Sequence, residues 1–377
     1  MNYPNFMTAI FPTAIVKVKR NNMFDWSKKR VAVFALTPQG KELRDELLEG
    51  GTGQWETAEL ADLTTAFHTY DGLVFIMATG IVVRYIASLI KHKSEDPAVI
   101  VLDQQGHFAI SLLSGHMGGA NLLARMIAVR LSNKFRLCQA VITTATDVAE
   151  VTAFDVFARD HDLLIEDTAE IKYISADLIA NRCVQVTIDG RLTGSFRGPV
   201  EVLPFSESRE LNSEFNWSRD LNRVVVSSTK DLPSLPSAPH CLWLRPKDIF
   251  LGIGCKRNTE PEQLIEYIKM KLAEYNISEL SIACIASHSV KRTELALQRA
   301  AKYFKCDLKF YDPIDLEPFC ESVECSDFVR QTVGVGAVSA PAALCAVGGH
   351  SELIVEKIRH NGMTLSIVKK EMHYTAC

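Results

Sequence analysis

Short β-branched runs alternate with helical patterns along most of this chain, and that alternation restricts the fold more than any other feature. Arg30 to Leu36 (RVAVFAL), Leu73 to Met77 (LVFIM) and Ala98 to Leu102 (AVIVL) read as strands. Continuous apolar runs of this length, bounded by turn residues, suit strands that are covered on both faces. KELRDELLE from Lys41, closed by Gly50 and Gly51, and the stretch from Ile81 to about Ile90 read as helices. His107 to Ile110 is a candidate hairpin partner of the third strand, followed by a helix from Gly119 to Leu131 and a strand at Ala140 to Ile142. The pattern predicts an α/β fold class: a multi-domain chain of three-layer α/β/α sandwiches with mainly parallel or mixed sheets. Ligands of such sheets gather outside the carboxyl ends of the strands. The Thr79-Gly80 turn and the Asp103 turn are expected at such ends.

At 377 residues the chain is too long for one ordinary core. It divides into an N-terminal extension (1–29), an N-terminal α/β domain (30–148), a middle α/β module (149–226), a linker (227–248) and a C-terminal α/β domain (249–377). The middle module shows helical stretches near Phe154 to His161 and Ala169 to Ile179, and a strand near Val184 to Ile188. The linker is read from the Ser- and Pro-rich segment SSTKDLPSLPSAPHCLWLRP. In the last domain, strands are expected at Ile249 to Gly254, Ser281 to Ala286, Leu308 to Phe310 and Leu365 to Val368. Helices are expected from a Thr259 cap with Pro261 in the first turn to about Tyr275, at Thr293 to Phe304 and at Ser339 to Val347.

Charge and composition exclude several classes. A net charge of −4 argues against a global basic field for nucleic acid. No apolar run reaches the ~18 residues of a membrane span. The first residues lack a basic start and a small-residue cleavage site, so an extension is expected there and not a signal peptide. The ten cysteines begin at Cys138 and form no CxxC pair. That pattern predicts a reduced, cytoplasmic protein without a zinc site.

Polar and glycine residues cluster at predicted strand ends. SLLSGHMGGAN (Ser111 to Asn121) brings Ser114, Gly115, His116, Gly118 and Gly119 to the start of a helix. Glycines admit a ligand to the backbone, free helix N–H groups bind anions, and His116 is a candidate acid or base. A glycine-rich turn with a capping histidine is the plainer alternative. In MATGIVVR, Arg84 follows Gly80 by one helical turn and suits bidentate carboxylate binding, or simple solvation. VITTATD places Thr143, Thr144, Thr146 and Asp147 after a strand, for a site or for helix capping. LGIGCKR carries Gly252 and Gly254 but lacks the third glycine of a dinucleotide fingerprint, so a cationic turn of Lys256 and Arg257 is the sharper reading. TVGVGAVSAPAAL leads a glycine-rich loop into an Ala-rich helix at Ser339.

These motifs, in this order, resemble the cobalt-precorrin-5A hydrolase family. MATGIVVRYIASLIKHKSEDPAVIVLDQQGHFAISLLSGHMGGANLLAR and VITTATD are similar to its N-terminal signature, LGIGCKRNT and VGVGAVSAPAAL to its C-terminal domain. The resemblance spans about Arg30 to Val368 and is loose from Glu150 to Asp248. The loop ASHSVKRTELAL departs from the family pattern: His288, Lys291, Arg292 and Glu294 stand there without its usual glycine. The resemblance implies opening of a δ-lactone on a cobalt-corrinoid intermediate and expulsion of acetaldehyde. It implies no cofactor beyond the substrate's own cobalt. Transient contact with pathway methyltransferases and a homodimer are compatible with it. On this basis His116 is expected as base, oriented by Asp103 or Asp147, with Thr79, Gly80, Arg84, Ser114, Gly115, Gly118, Gly119, Asn121, Thr143, Thr144, Gly254, Lys256, Arg257 and Ser339 as substrate contacts. Two rivals remain: a corrinoid carrier, which would release no aldehyde, and a nucleotide-dependent enzyme, disfavoured by the incomplete fingerprint.

Overall fold

The computed structural model describes residues 25–49, 54–92, 95–132, 136–205, 218–232, 236–320, 323, 330–331 and 334–376. The first sheet holds β1 (Arg30–Ala35), β2 (Gln54–Thr57), β3 (Gly72–Ile76), β4 (Ala98–Leu102), β5 (Phe108–Leu113) and β6 (Gln139–Val141) in the order β2-β1-β3-β4-β5-β6. Its helices are α1 (Pro38–Glu49), α2 (Leu63–Thr69), α3 (Thr79–Ile86), α4 (Ala120–Leu131) and the single turn α5 (Ala145–Val148). Alternate strand residues point to opposite faces. Val31, Val33, Val74 and Ile76 meet Leu43 and Leu47 of α1 and Leu123 and Ile127 of α4. Phe34, Leu73, Phe75 and Val99 meet Phe67 of α2 and Val82 and Ile86 of α3. Both faces are covered, which is why these strands are apolar without interruption.

The expected extension is shorter than residues 1–29. Trp26 is buried in the first core and its indole Nε1 donates to the Gly119 carbonyl at 3.2 Å. The leader up to Phe24, Gly50, Gly51, Thr332 and Val333 lie outside the described residues.

The middle domain contains α6 (Phe154–Asp160), β7 (Leu164–Ile165), α7 (Ile171–Ile179), β8 (Val184–Ile188), β9 (Arg191–Gly194), β10 (Val200–Pro204), β11 (Arg223–Val226) and β12 (Cys241–Arg245). Its sheet runs β10-β8-β11-β12-β7, with β7 antiparallel at one edge. β12 corrects the expected linker. It pairs in parallel with β11, Leu242 and Leu244 are fully buried, and the Arg245 guanidinium is bonded to Glu166 and the carbonyls of Ser227 and Lys230. Proline and serine before it suggested a tether, yet the alternation in CLWLR is that of a half-buried strand.

The C-terminal domain comprises β13 (Ile249–Gly254), α8 (Pro261–Glu274), β14 (Ile282–His288), α9 (Leu295–Phe304), β15 (Asp307–Tyr311), α10 (Pro313–Cys320), α11 (Ser339–Val347), β16 (Ser351–His360) and β17 (Met363–Lys370). The order is β15-β14-β13-β17-β16, with β16 and β17 forming an antiparallel hairpin. α8 and α9 cover one face, α10 and α11 the other. Glu260, not Thr259, holds the N-cap position of α8, and the Thr259 hydroxyl donates to the Lys256 carbonyl at 2.9 Å. A last strand, β18 (His373–Ala376), leaves this domain and pairs with β9 of the middle one. Tyr374 thereby joins the middle core. Truncation after Glu371 is therefore expected to cost the middle domain roughly 3 kcal/mol or more, seen as an earlier unfolding transition in urea. An unchanged transition would mean that β18 contributes nothing to that core. No helix of the described residues is long and apolar enough to cross a membrane.

Candidate functional site

The first sheet separates residues that the sequence had grouped together. β1, β3 and β4 are parallel, so their carboxyl ends share one edge, where Thr79, Gly80, Arg84 and Asp103 lie. β5 runs antiparallel to β4 and β6 runs parallel to β5. The loops after β5 and β6 therefore emerge at the opposite edge, carrying Ser114 to Asn121 and Thr143 to Asp147. This reversal corrects the pairing of Asp103 with His116. The Asp103 carboxylate instead accepts from the backbone N–H groups of Gln105, His107 and Phe108 at 2.7–2.9 Å, building the β4–β5 turn. Arg84 donates to the Gly80 carbonyl at 2.8 Å and is otherwise exposed.

At the second edge the glycine motif is filled by its own hydrogen bonds. Asn121 accepts from the Ser111 hydroxyl at 2.7 Å and donates to Thr144 and Asp147, each at 2.9 Å. Ser114 donates to the Asp96 carbonyl at 2.9 Å. A Cβ on Gly115 would lie 2.7 Å from the Asn121 side-chain oxygen, and one on Gly118 would meet Ser114. Gly119 precedes α4 with a left-handed φ of 80°. Thr143 is exposed.

His116 lies between two carboxylates: Nε2 is 3.2 Å from Asp147 and Nδ1 is 3.2 Å from Asp155 of α6. Thr146 approaches Nε2 at 3.1 Å. Burial disfavours the imidazolium, but bonds and charges from Asp147 and Asp155 outweigh it and raise the pKa to about 9. Both carboxylates are held below their ordinary range. Arg159 of α6 also donates to the His116 carbonyl. His116 is thus a cation at neutral pH with both ring nitrogens engaged, joining the N-terminal and middle domains. A general base needs a free lone pair, and in this arrangement both ring nitrogens face a carboxylate. Thr146 belongs to the hydroxyl cluster of VITTATD, whereas Asp155 was not anticipated. The one sequence hint is an acid set among Phe154, Phe157 and Ala158.

A cleft of about 230 Å³ opens in the C-terminal domain. The ends of β13 and β14, the start of α11 and the β16–β17 hairpin bound it. Of the C-terminal residues named from the sequence, Gly254, Lys256 and Ser339 line it, whereas Arg257 does not. His288, Lys291, Lys357 and Thr364 join them. The first two stand in the divergent loop noted in the sequence; the last two come from the hairpin, about which the sequence offered no functional signal. Lys291 is 3.5 Å from Glu294. Lys256 and Lys357 have no carboxylate partner among the described residues. The Val290 N–H donates to His288 Nδ1 at 3.0 Å, which leaves Nε2 as the protonated nitrogen of the neutral ring. Burial keeps the Cys255 thiol protonated. Two lysines without a carboxylate partner among the described residues and a helix start are the kinds of group that attract carboxylates.

Fold and cleft together define a three-domain α/β protein with a lysine-bearing cleft in its C-terminal domain. The chain matches the family models described as Cobalamin synthesis G N-terminal over residues 62–147, Cobalamin biosynthesis central region over 152–246 and Cobalamin synthesis G C-terminus over 249–368. A Salmonella typhimurium protein named cobalt-precorrin-5A hydrolase is 34% identical over 358 residues, covering 89% of this chain and 97% of that protein. A protein of the same name from Priestia megaterium is 29% identical over 309 residues, covering 81% and 80%. A solved cobalamin biosynthesis protein G homologue from Sulfolobus solfataricus aligns over 93% of this chain and 99% of its own, at 21% identity and a TM-score of 0.39. The chain belongs to the cobalamin synthesis G family.

Proposed function

We propose that this protein is a cobalt-precorrin-5A hydrolase, opening the δ-lactone of a cobalt-bearing contracted tetrapyrrole and releasing the extruded two-carbon fragment as acetaldehyde. The observation that carries this reading is the alignment with the Salmonella relative of that name over nearly its whole length. The unpaired lysines of the cleft support it, because a corrinoid intermediate is ringed by acetate and propionate groups. Cobalt enters as part of the substrate. The same reading implies a cytoplasmic enzyme supplied by the methyltransferases of its pathway.

Lysines at 256 and 357 hold substrate carboxylates from two sides of the cleft. His288, fixed as an Nε2–H donor by the Val290 bond, is suited to an oxyanion formed when water adds to the lactone carbonyl. The start of α11 at Ser339 adds the positive end of a helix. The freed alcohol then loses its proton as the carbon–carbon bond breaks. The electron pair passes into the conjugated macrocycle, and the two-carbon fragment leaves as the aldehyde.

Anaerobic incubation with cobalt-precorrin-5A, with volatile aldehyde trapped, should yield one equivalent of acetaldehyde. Tight binding without aldehyde would leave a corrinoid carrier in its place. Lys357→Met should raise KM about tenfold and change kcat little, the loss of one ground-state ionic contact. An unchanged KM would remove Lys357 from the substrate site.

A further inference from the structure

The β16–β17 hairpin turns on two residues, Asn361 and Gly362, since His360 pairs directly with Met363. Both carry positive φ, 48° and 79°. That is the conformation of the tight hairpin turn for which Asn-Gly is the favoured pair. Turn geometry alone would accept asparagine at either position, because asparagine also enters the left-handed region. A second constraint acts at Gly362 alone. A Cβ built there would lie 2.6 Å from Lys256 Cδ and 2.9 Å from Cγ, with Cε closer still. The aliphatic stem of Lys256 therefore lies flat across the bare Cα of Gly362, and both residues line the cleft.

The consequence concerns where the ammonium group is held. Lys256 follows β13 in an exposed turn, a setting in which a lysine side chain samples many rotamers. It has no ion-pair partner among the described residues to restrain it. What restrains it is the hairpin, which offers three methylenes a surface free of side chain. The same hairpin carries Lys357 and Thr364 into the cleft. The separation of the two unpaired ammonium groups is thus set by how closely the turn can approach the Lys256 stem.

We propose that Gly362 is a positioning residue: by lacking a side chain it seats the Lys256 stem on the hairpin turn and holds that ammonium group over the cleft, opposite Lys357, for a substrate carboxylate. The proposal rests on the assignment of the cleft to the corrinoid's carboxylates. It predicts that the turn glycine acts through Lys256 and not through stability of the hairpin.

The test is a cycle of KM and kcat for acetaldehyde release from cobalt-precorrin-5A by the full chain, its Gly362→Ala and Lys256→Met variants, and the double variant. Gly362→Ala should raise KM about tenfold while kcat stays within about twofold. Lys256→Met should do the same, and the double variant should be no worse than Lys256→Met alone. A wild-type KM for Gly362→Ala beside a raised KM for Lys256→Met overturns the proposal. So does a double variant whose effects multiply, because the glycine would then act on something other than Lys256. A wild-type KM for Lys256→Met removes the cleft assignment itself, and the proposal with it. Gly362→Asn guards against a folding failure: it keeps the left-handed turn yet carries a Cβ, and the same cycle is read with it.

Discussion

Gly252→Ala is expected to destabilise the C-terminal domain by more than about 3 kcal/mol, the range in which a buried clash cannot be relieved by side-chain movement. A Cβ at this position would lie 2.5 Å from the Ser339 carbonyl carbon and far inside the contact distance of its oxygen. Both offending atoms are backbone, at the first residue of α11. Gly252 itself is fully within the sheet, paired with Ala286 on one side and Ser366 on the other, so neither strand is free to yield. Its φ is not left-handed; the requirement is space. Urea unfolding of the domain would show the loss as a lowered midpoint. A wild-type midpoint would mean that α11 does not rest on β13. A folded survivor should still bind substrate poorly, because Ser339 and its neighbours at the start of α11 form one wall of the cleft.

The glycine that resembled part of a dinucleotide fingerprint thus has a packing explanation, and it shows what the sequence could and could not reveal. Gly254 marked the end of β13 correctly, because an apolar run closing on glycine has few other meanings, while Gly252 lies inside the strand. β1, β3 and β4 of the first domain were legible as apolar runs, whereas the short, largely exposed edge strand β2 was not anticipated. The hairpin of β5 on β4 was legible as well, since His107 to Ile110 follows the turn at Asp103 to Gly106, and the two strands do pair antiparallel. The consequence for the site was not legible: a hairpin after β4 reverses which edge the following loop occupies, and motif order along the chain does not report that. Residues grouped by motif therefore separated in space, with Asp103 at one edge and His116 at the other. His116 itself looked like a ligand-binding histidine because its partner Asp155 lies 39 positions away, in a domain whose pattern was weak. Lys357 was equally hidden: it enters the cleft from a hairpin whose strand β16 was not anticipated, since its charged residues mask the alternation.

His116→Gln should lower the stability of the joined N-terminal and middle domains by about 3 kcal/mol at pH 6 and by little at pH 9.5. The sign follows from the direction of the shift. In the folded chain the imidazole titrates at about 9, against 6.5 ordinarily, so folding favours the protonated form. A group of this kind contributes its full stability below about 6.5 and loses it as pH rises through about 9, and a difference of that size corresponds to about 3 kcal/mol. The side chain is 19% exposed, so solvent screens it little. Asp147 and Asp155 work in the opposite sense: their lowered values stabilise above the ordinary carboxylate range and lose that contribution as pH falls. Wild type should accordingly be most stable between about pH 4 and 6.5 as far as this cluster is concerned. Glutamine keeps two polar ends of similar reach but no charge, so the gap between the two proteins should close as the histidine deprotonates. A gap that stays constant from pH 6 to 9.5 would show that the charge is not what joins the domains. The same experiment bears on chemistry. Were His116 the base, kcat/KM would have to climb until pH 9, when its lone pair becomes available; a pH–rate profile that is flat from pH 7 to 9 would remove His116 as the base and assign proton transfer to another group.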